Sequence, residues 1–229
     1  MLVGGQALAF WVARFGIPVN DGPRVYISAD ADFLGLTEHV ERFSKAIGGK
    51  AVYPPKRGFS TLLGAVEKEA GGKSIGVDVL HSVVGLDADA VRKRAIEVTH
   101  PEDPSLRFSM MDPVDCLVSR FENLRAMPDR QNEVGIWQAK MAIAACRAYG
   151  EELIRLEDER KAIKIATALF RLAGSATGLQ AYANYGLDIL EAIPLGQFRN
   201  TNFRNKQVAR SLGNIAKARE NLSANAVKR

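Results

Sequence analysis

The chain has 229 residues, of which 47% are hydrophobic and 25% charged, ordinary values for a globular protein long enough to bury a core without disulfides. No apolar run approaches the ~18 residues of a membrane-spanning helix, and the start Met1-Leu2-Val3-Gly4-Gly5 lacks the charged n-region of a signal peptide. A cytoplasmic protein with no membrane partner is expected. The net charge of +5 is spread unevenly: residues 1–100 hold 12 Lys+Arg against 11 Asp+Glu, residues 101–195 hold 11 against 14, and residues 196–229 hold 8 against 1.

Met1-Leu2-Val3 reads as the end of a buried strand, so the domain is expected to begin upstream. A glycine pair follows, then a helical pattern over residues 5–15. Residues 24–28 read as a strand that continues through residues 30–34, and Thr37 is a candidate cap for a helix to about residue 47. Residues 51–53 form a short strand stopped by Pro54-Pro55. Residues 60–66 and 74–80 read as the arms of a hairpin around Glu67-Lys68-Glu69-Ala70-Gly71-Gly72-Lys73, with a helical first arm as the alternative. Asp87 caps a helix expected to reach about residue 97, and residues 107–110 are one more strand.

From residue 114 onward apolar residues recur at three- and four-residue spacing, over 114–124, 134–148 and 153–172. Gly174 and Gly178 interrupt the pattern, and helices are expected over 179–193 and 206–224. The reading is an α+β half over residues 1–110 and an all-helical half over 111–229, ending in a basic helix. Cys116 and Cys146 lie in apolar helical stretches and read as reduced core residues. The basic excess in 196–229 makes RNA a candidate partner, with a merely solvated helix as the alternative.

Three features carry chemistry together. Leu2-Val3-Gly4-Gly5 runs from a strand into a helix, where glycine lets a phosphate approach backbone N–H donors. Asp30 and Asp32 are two apart on a strand and therefore share a face, a pattern that suits a hard divalent cation. Asp78 stands alone in the apolar run Ile75-Gly76-Val77-Asp78-Val79-Leu80, where a carboxylate needs a partner such as a cation. There is no P-loop lysine motif, no Gly-x-Gly-x-x-Gly and no Gly-x-Ser-x-Gly elbow, which disfavours P-loop, Rossmann and serine-hydrolase readings. His39, His81 and His100 are scattered and make no zinc site.

Gly4-Gly5, Asp30-x-Asp32 and Asp78 in this order resemble the nucleotidyltransferase superfamily that includes DNA polymerase beta. Ser28 matches the Ser/Thr often found two residues before the first Asp. The long spacing from glycines to Asp-x-Asp resembles the abortive-infection toxin branch, although its Lys/Arg-x-x-Asp pattern is absent from Arg130-Gln131-Asn132-Glu133. The resemblance implies a mixed-sheet nucleotidyltransferase core and a helical half. It implies Asp30, Asp32 and Asp78 as catalytic ligands of two Mg²⁺ ions (Mn²⁺ as substitute), and Gly4, Gly5, Ser28 and Arg120 as nucleotide contacts. The implied reaction moves a nucleoside monophosphate from an NTP to a hydroxyl of RNA, protein or a small molecule. Two alternatives are a nucleotide- or RNA-binding member with weak catalysis and a toxin–antitoxin-type interaction protein. Lys56 and Arg57, after Pro54-Pro55, read first as a solvated loop and second as a phosphate contact.

Overall fold

The computed structural model describes residues 1–19, 30–55, 60–99 and 103–226. The strand expected over 24–28 and the residues Ser28, Lys56, Arg57 and His100 lie outside this set. The chain divides into two compact units, one of Met1–Arg14 with Asp21–Ser119 and one of Phe15–Asn20 with Arg120–Arg229.

The first unit is α+β. Its strands are β1 (Leu2–Val3), β2 (Asp30–Leu34), β3 (Lys50–Val52), β4 (Leu62–Ala70), β5 (Lys73–Leu80), β6 (Ile96–Thr99) and β7 (Arg107–Met110). They form one mixed seven-stranded sheet in the order β3-β4-β5-β2-β1-β7-β6. β2 runs parallel to β5 and antiparallel to β1, which is itself parallel to β7.

The helices α1 (Gly4–Arg14) and α2 (Thr37–Ile47) follow the sequence pattern closely. Val40 of α2 joins Val66, Val77 and Val79 of the sheet in a buried cluster, with Phe33, Phe43 and Ile47 packed on it. Phe10 of α1 meets Phe108 edge-on at 6.3 Å, and Trp11 Nε1 donates to the Met111 carbonyl at 2.8 Å. Pairing places Leu2 opposite both Phe33 and Met110, and Phe108 lies two residues from Met110. All four therefore share a face, and both helices cover that same face of the sheet.

Several expected boundaries move. The hairpin turn is only Gly71-Gly72, with φ of 58° and 75°; two central residues at positive φ match the twist of the flanking strands. Glu67 to Ala70 are thus strand residues, with Ala70 opposite Lys73. Thr37 does not cap α2: Leu36 is the cap residue, and its N–H donates to His39 Nδ1 at 2.7 Å. Asp87 does cap α3 (Ala88–Arg94), accepting from Ala90 N at 2.8 Å. That helix ends earlier than expected, because the β-branched run Ile96-Glu97-Val98-Thr99 pairs with β7 as an antiparallel strand.

The second unit is helical. α4 (Pro113–Ala126) contributes its later turns, followed by α5 (Glu133–Arg155), α6 (Glu159–Ala173), α7 (Ala176–Tyr185) and α8 (Ala209–Ala226). A π-helix, Phe203–Val208, leads into α8. The helix expected over 134–148 runs on to Arg155, and Pro194 packs against it at the buried Gly150, where a Cβ would stand 3.3 Å from the proline ring. The break comes at Glu157, whose φ of 64° ends the helical path. The helix expected over 179–193 stops at Gly186, which is left-handed, and only a 3₁₀ turn at Ile189–Ala192 follows. Cys116 and Cys146 are buried and form no disulfide. No helix among the described residues is long and apolar enough to cross a membrane.

Candidate functional site

β2 delivers two carboxylates to the face of the sheet opposite the one covered by α2 and the body of α1. Strand pairing sets Asp32 opposite Asp78 and Asp30 opposite Gly76. Register partners point the same way, so Asp30, Asp32 and Asp78 share one face, opposite to the face bearing Phe33, Val77 and Val79. Asp30 is exposed, and Asp32 and Asp78 are half-buried.

A fourth carboxylate joins them. Glu67 on β4 pairs with Gly76, and Lys50 on β3 pairs with Glu67. Burial pushes the Asp78 carboxyl above its ordinary value, and the negative charges of Asp30 and Glu67 push it further in the same direction. The sequence reading placed Glu67 in a turn and missed this role. The signal was present in the Gly71-Gly72 pair, which demands a two-residue hairpin loop and so extends both arms.

Two glycines make room for the acids. A Cβ built on Gly4 would stand 1.9 Å from Asp32 Oδ2, and one on Gly76 would stand 2.0 Å from Asp30 Oδ1. Asp32 thus lies over the start of α1, while Asp30 lies over β5. This divergence has a consequence: among the described residues no three His, Cys, Asp or Glu side chains converge closely enough to hold a metal ion. The donor set still suits Mg²⁺ in kind, since all three groups are hard carboxylate oxygens on adjacent strands about 4.8 Å apart. Bringing Asp32 towards Asp78 requires its side chain to rotate away from Gly4.

Gly4 and Gly5 are buried at the β1–α1 junction, where helix N–H groups converge. Arg120 belongs to the helical unit; it is buried there and donates to Gln138 Oε1 at 3.0 Å. Arg125 pairs with Glu122 at 2.8 Å. His81 is exposed and sits at 3.0 Å from the Ser60 carbonyl oxygen, one residue beyond the end of β5.

A second acidic group in the first unit has a structural explanation. Asp112 precedes Pro113 and accepts from Asp115 N at 2.7 Å, so it caps α4. Arg94 grips the buried Asp115 with two hydrogen bonds, 3.0 and 2.8 Å. Burial, then the neighbouring Asp115 charge, push Asp112 up to about 6. A carboxyl whose folded pKa exceeds its unfolded value loses stability as pH rises between the two. Asn is an equally good cap without the charge. Asp112→Asn should therefore stabilise the protein at pH 7.5 by on the order of 1–2 kcal/mol and change little at pH 4. Urea denaturation at both pH values measures this; an equal effect at the two would remove the electrostatic explanation.

In comparison with protein-family models, curated proteins and solved structures, the chain matches none.

Proposed function

We propose that the first unit is a Mg²⁺-dependent nucleotidyltransferase core, acting at Asp30, Asp32 and Asp78. One observation carries the reading: Asp32 and Asp78 are register partners on parallel strands, with Asp30 on the same face of the sheet. Burial holds the Asp78 carboxyl above its ordinary value, and the negative charges of Asp30 and Glu67 add to that in the same direction.

In this reading Asp30, Asp32 and Asp78 would hold two Mg²⁺ ions, with the Asp32 side chain rotated away from Gly4. When bound, Mg²⁺ neutralises the triphosphate charge and lowers the pKa of the attacking hydroxyl. The acceptor oxygen forms a bond to the α-phosphorus, and the bond to pyrophosphate breaks. Asp78 accepts the hydroxyl proton. The N–H groups at the start of α1 receive phosphate oxygens, with Gly4 and Gly5 keeping side chains out of the way.

A second reading is a nucleotide-binding member of the fold with weak turnover. It is favoured by Asp32 lying over Gly4, turned away from Asp78. Calorimetry separates them. Each of the four NTPs is titrated with Mg²⁺ into wild type and Asp30→Ala/Asp32→Ala. Metal-dependent binding lost in the double variant supports the site. Binding that survives the double substitution would sink it. Binding without pyrophosphate release, over a panel of hydroxyl acceptors, favours the second reading.

A further inference from the structure

The helical unit carries a basic track that segment 196–229 only begins. Arg160, Lys164 and Arg171 on α6 are four and then seven residues apart, which puts them within about 40° around the helix. The buried residues Ala162, Ala166, Leu169 and Ala173 point to the opposite side. The π-helix docks beside this stripe: Gln207 Nε2 donates to Thr167 Oγ1 at 2.7 Å, and Phe203 packs near Phe170 with centroids 6.5 Å apart. Arg204, Lys206 and Arg210 all lie within three residues of Gln207, the residue that contacts α6. All six basic residues are exposed.

These six side chains differ from a set of arginines elsewhere in this protein. Arg42, Arg92, Arg94, Arg107, Arg125, Arg147 and Arg219 each pair with a carboxylate. None of the six makes an ion pair or hydrogen bond with a described residue through its side chain. Like charges set on adjoining elements without ion pairs create a positive field that a polyanion relieves.

We infer that this two-helix surface is a track for a nucleic-acid backbone. The stripe from Arg160 to Arg171 spans roughly 16 Å at helical rise, about the length of five phosphates along one strand. Four of the six residues are Arg, whose fork matches phosphate oxygens. Among the described residues, the surface formed by α6 and residues 203–210 carries no large exposed apolar side chain of the kind that would enter a lipid interface, since the apolar face of α6 is in the core. It also lacks an open aromatic face for base stacking. Tyr182, elsewhere on the unit, is already covered by Arg219 at 3.7 Å. Recognition is therefore of charge and not of sequence.

The test uses the full chain and fluorescein-labelled single strands of RNA and DNA, of about twenty nucleotides, read by anisotropy. Binding should weaken linearly in log–log salt with a slope of about −3 to −4, from five neutralised phosphates at roughly −0.7 each. Arg160→Glu/Lys164→Glu/Arg171→Glu should lose affinity at least about 30-fold, and Arg204→Glu/Arg210→Glu similarly. Lys45→Glu/Lys93→Glu, on the other unit, should stay within about two-fold. Equal losses in that control pair would overturn the assignment, as would absence of binding at about 50 mM salt. So would capture by phosphatidylserine vesicles with no binding of either strand. Binding of RNA alone or of both strands supports it and distinguishes the two sources of phosphate. Circular dichroism of each variant checks that the helices remain.

Discussion

Under the proposed function, Asp78→Asn should cut Mg²⁺-dependent nucleotide turnover by at least about 100-fold, the scale of removing one electrostatic stabiliser from a reaction centre, while the protein stays folded and gains slightly in thermal stability. The two effects share a cause. Asp78 is half-buried, faces Asp30 and Glu67 across the sheet, and has its carboxyl raised by burial and by both charges. A carboxyl raised in the folded state costs stability as pH climbs from its unfolded value through its folded one, and the cost persists at neutral pH. Asparagine keeps the shape and removes the charge. Solvent screening at this half-exposed position keeps the gain small.

Mg²⁺ gives the same experiment a second readout. A cation that binds only the folded wild type raises its stability by about 2.7 kcal/mol at one hundred times Kd. The asparagine variant should show most of that increment missing. A variant that turns over normally would end the assignment of Asp78. A variant that unfolds below wild type would mean that the carboxylate is a structural partner instead.

Gly4→Ala should be among the most damaging single substitutions in the first unit. Gly4 has φ of +70°, and an L-residue held in the left-handed region loses about 1–2 kcal/mol. Its Cβ would also stand 1.9 Å from Asp32 Oδ2 and 2.9 Å from Asp32 Cβ. The second distance matters more, because Cβ cannot swing aside as a carboxylate can. Overpacking of this kind costs about 1–3 kcal/mol. In the double variant Gly4→Ala/Asp32→Gly, which removes the Asp32 Cβ as well, the steric part should largely be relieved, leaving the backbone part. Urea midpoints for the four proteins give the coupling. Strict additivity would show that Asp32 does not pack on Gly4.

Much of this was written in local pattern. Asp30 and Asp32 share a face because a strand has period two, whatever surrounds it. The three- and four-residue spacing from residue 114 onward dictates helices. Gly71-Gly72, at positive φ in both positions, closes a hairpin by its own chemistry, even though the apolar pattern alone drew the arms too short. The early end of α3 was hidden for the opposite reason. Residues 96–99 become a strand only because β7 is there to pair with them.

Composition, periodicity and glycine placement thus determined the α+β then helical order, and the presence of three acids on strands, because those depend on neighbours a few residues away. Which strands lie side by side is a choice among distant partners, made by burying apolar faces under α1 and α2. Only that choice set Asp78 opposite Asp32, brought Glu67 to the same face and laid Asp32 over Gly4. It likewise joined α6 to the helix that follows Phe203, turning two modest basic stretches into one charged surface.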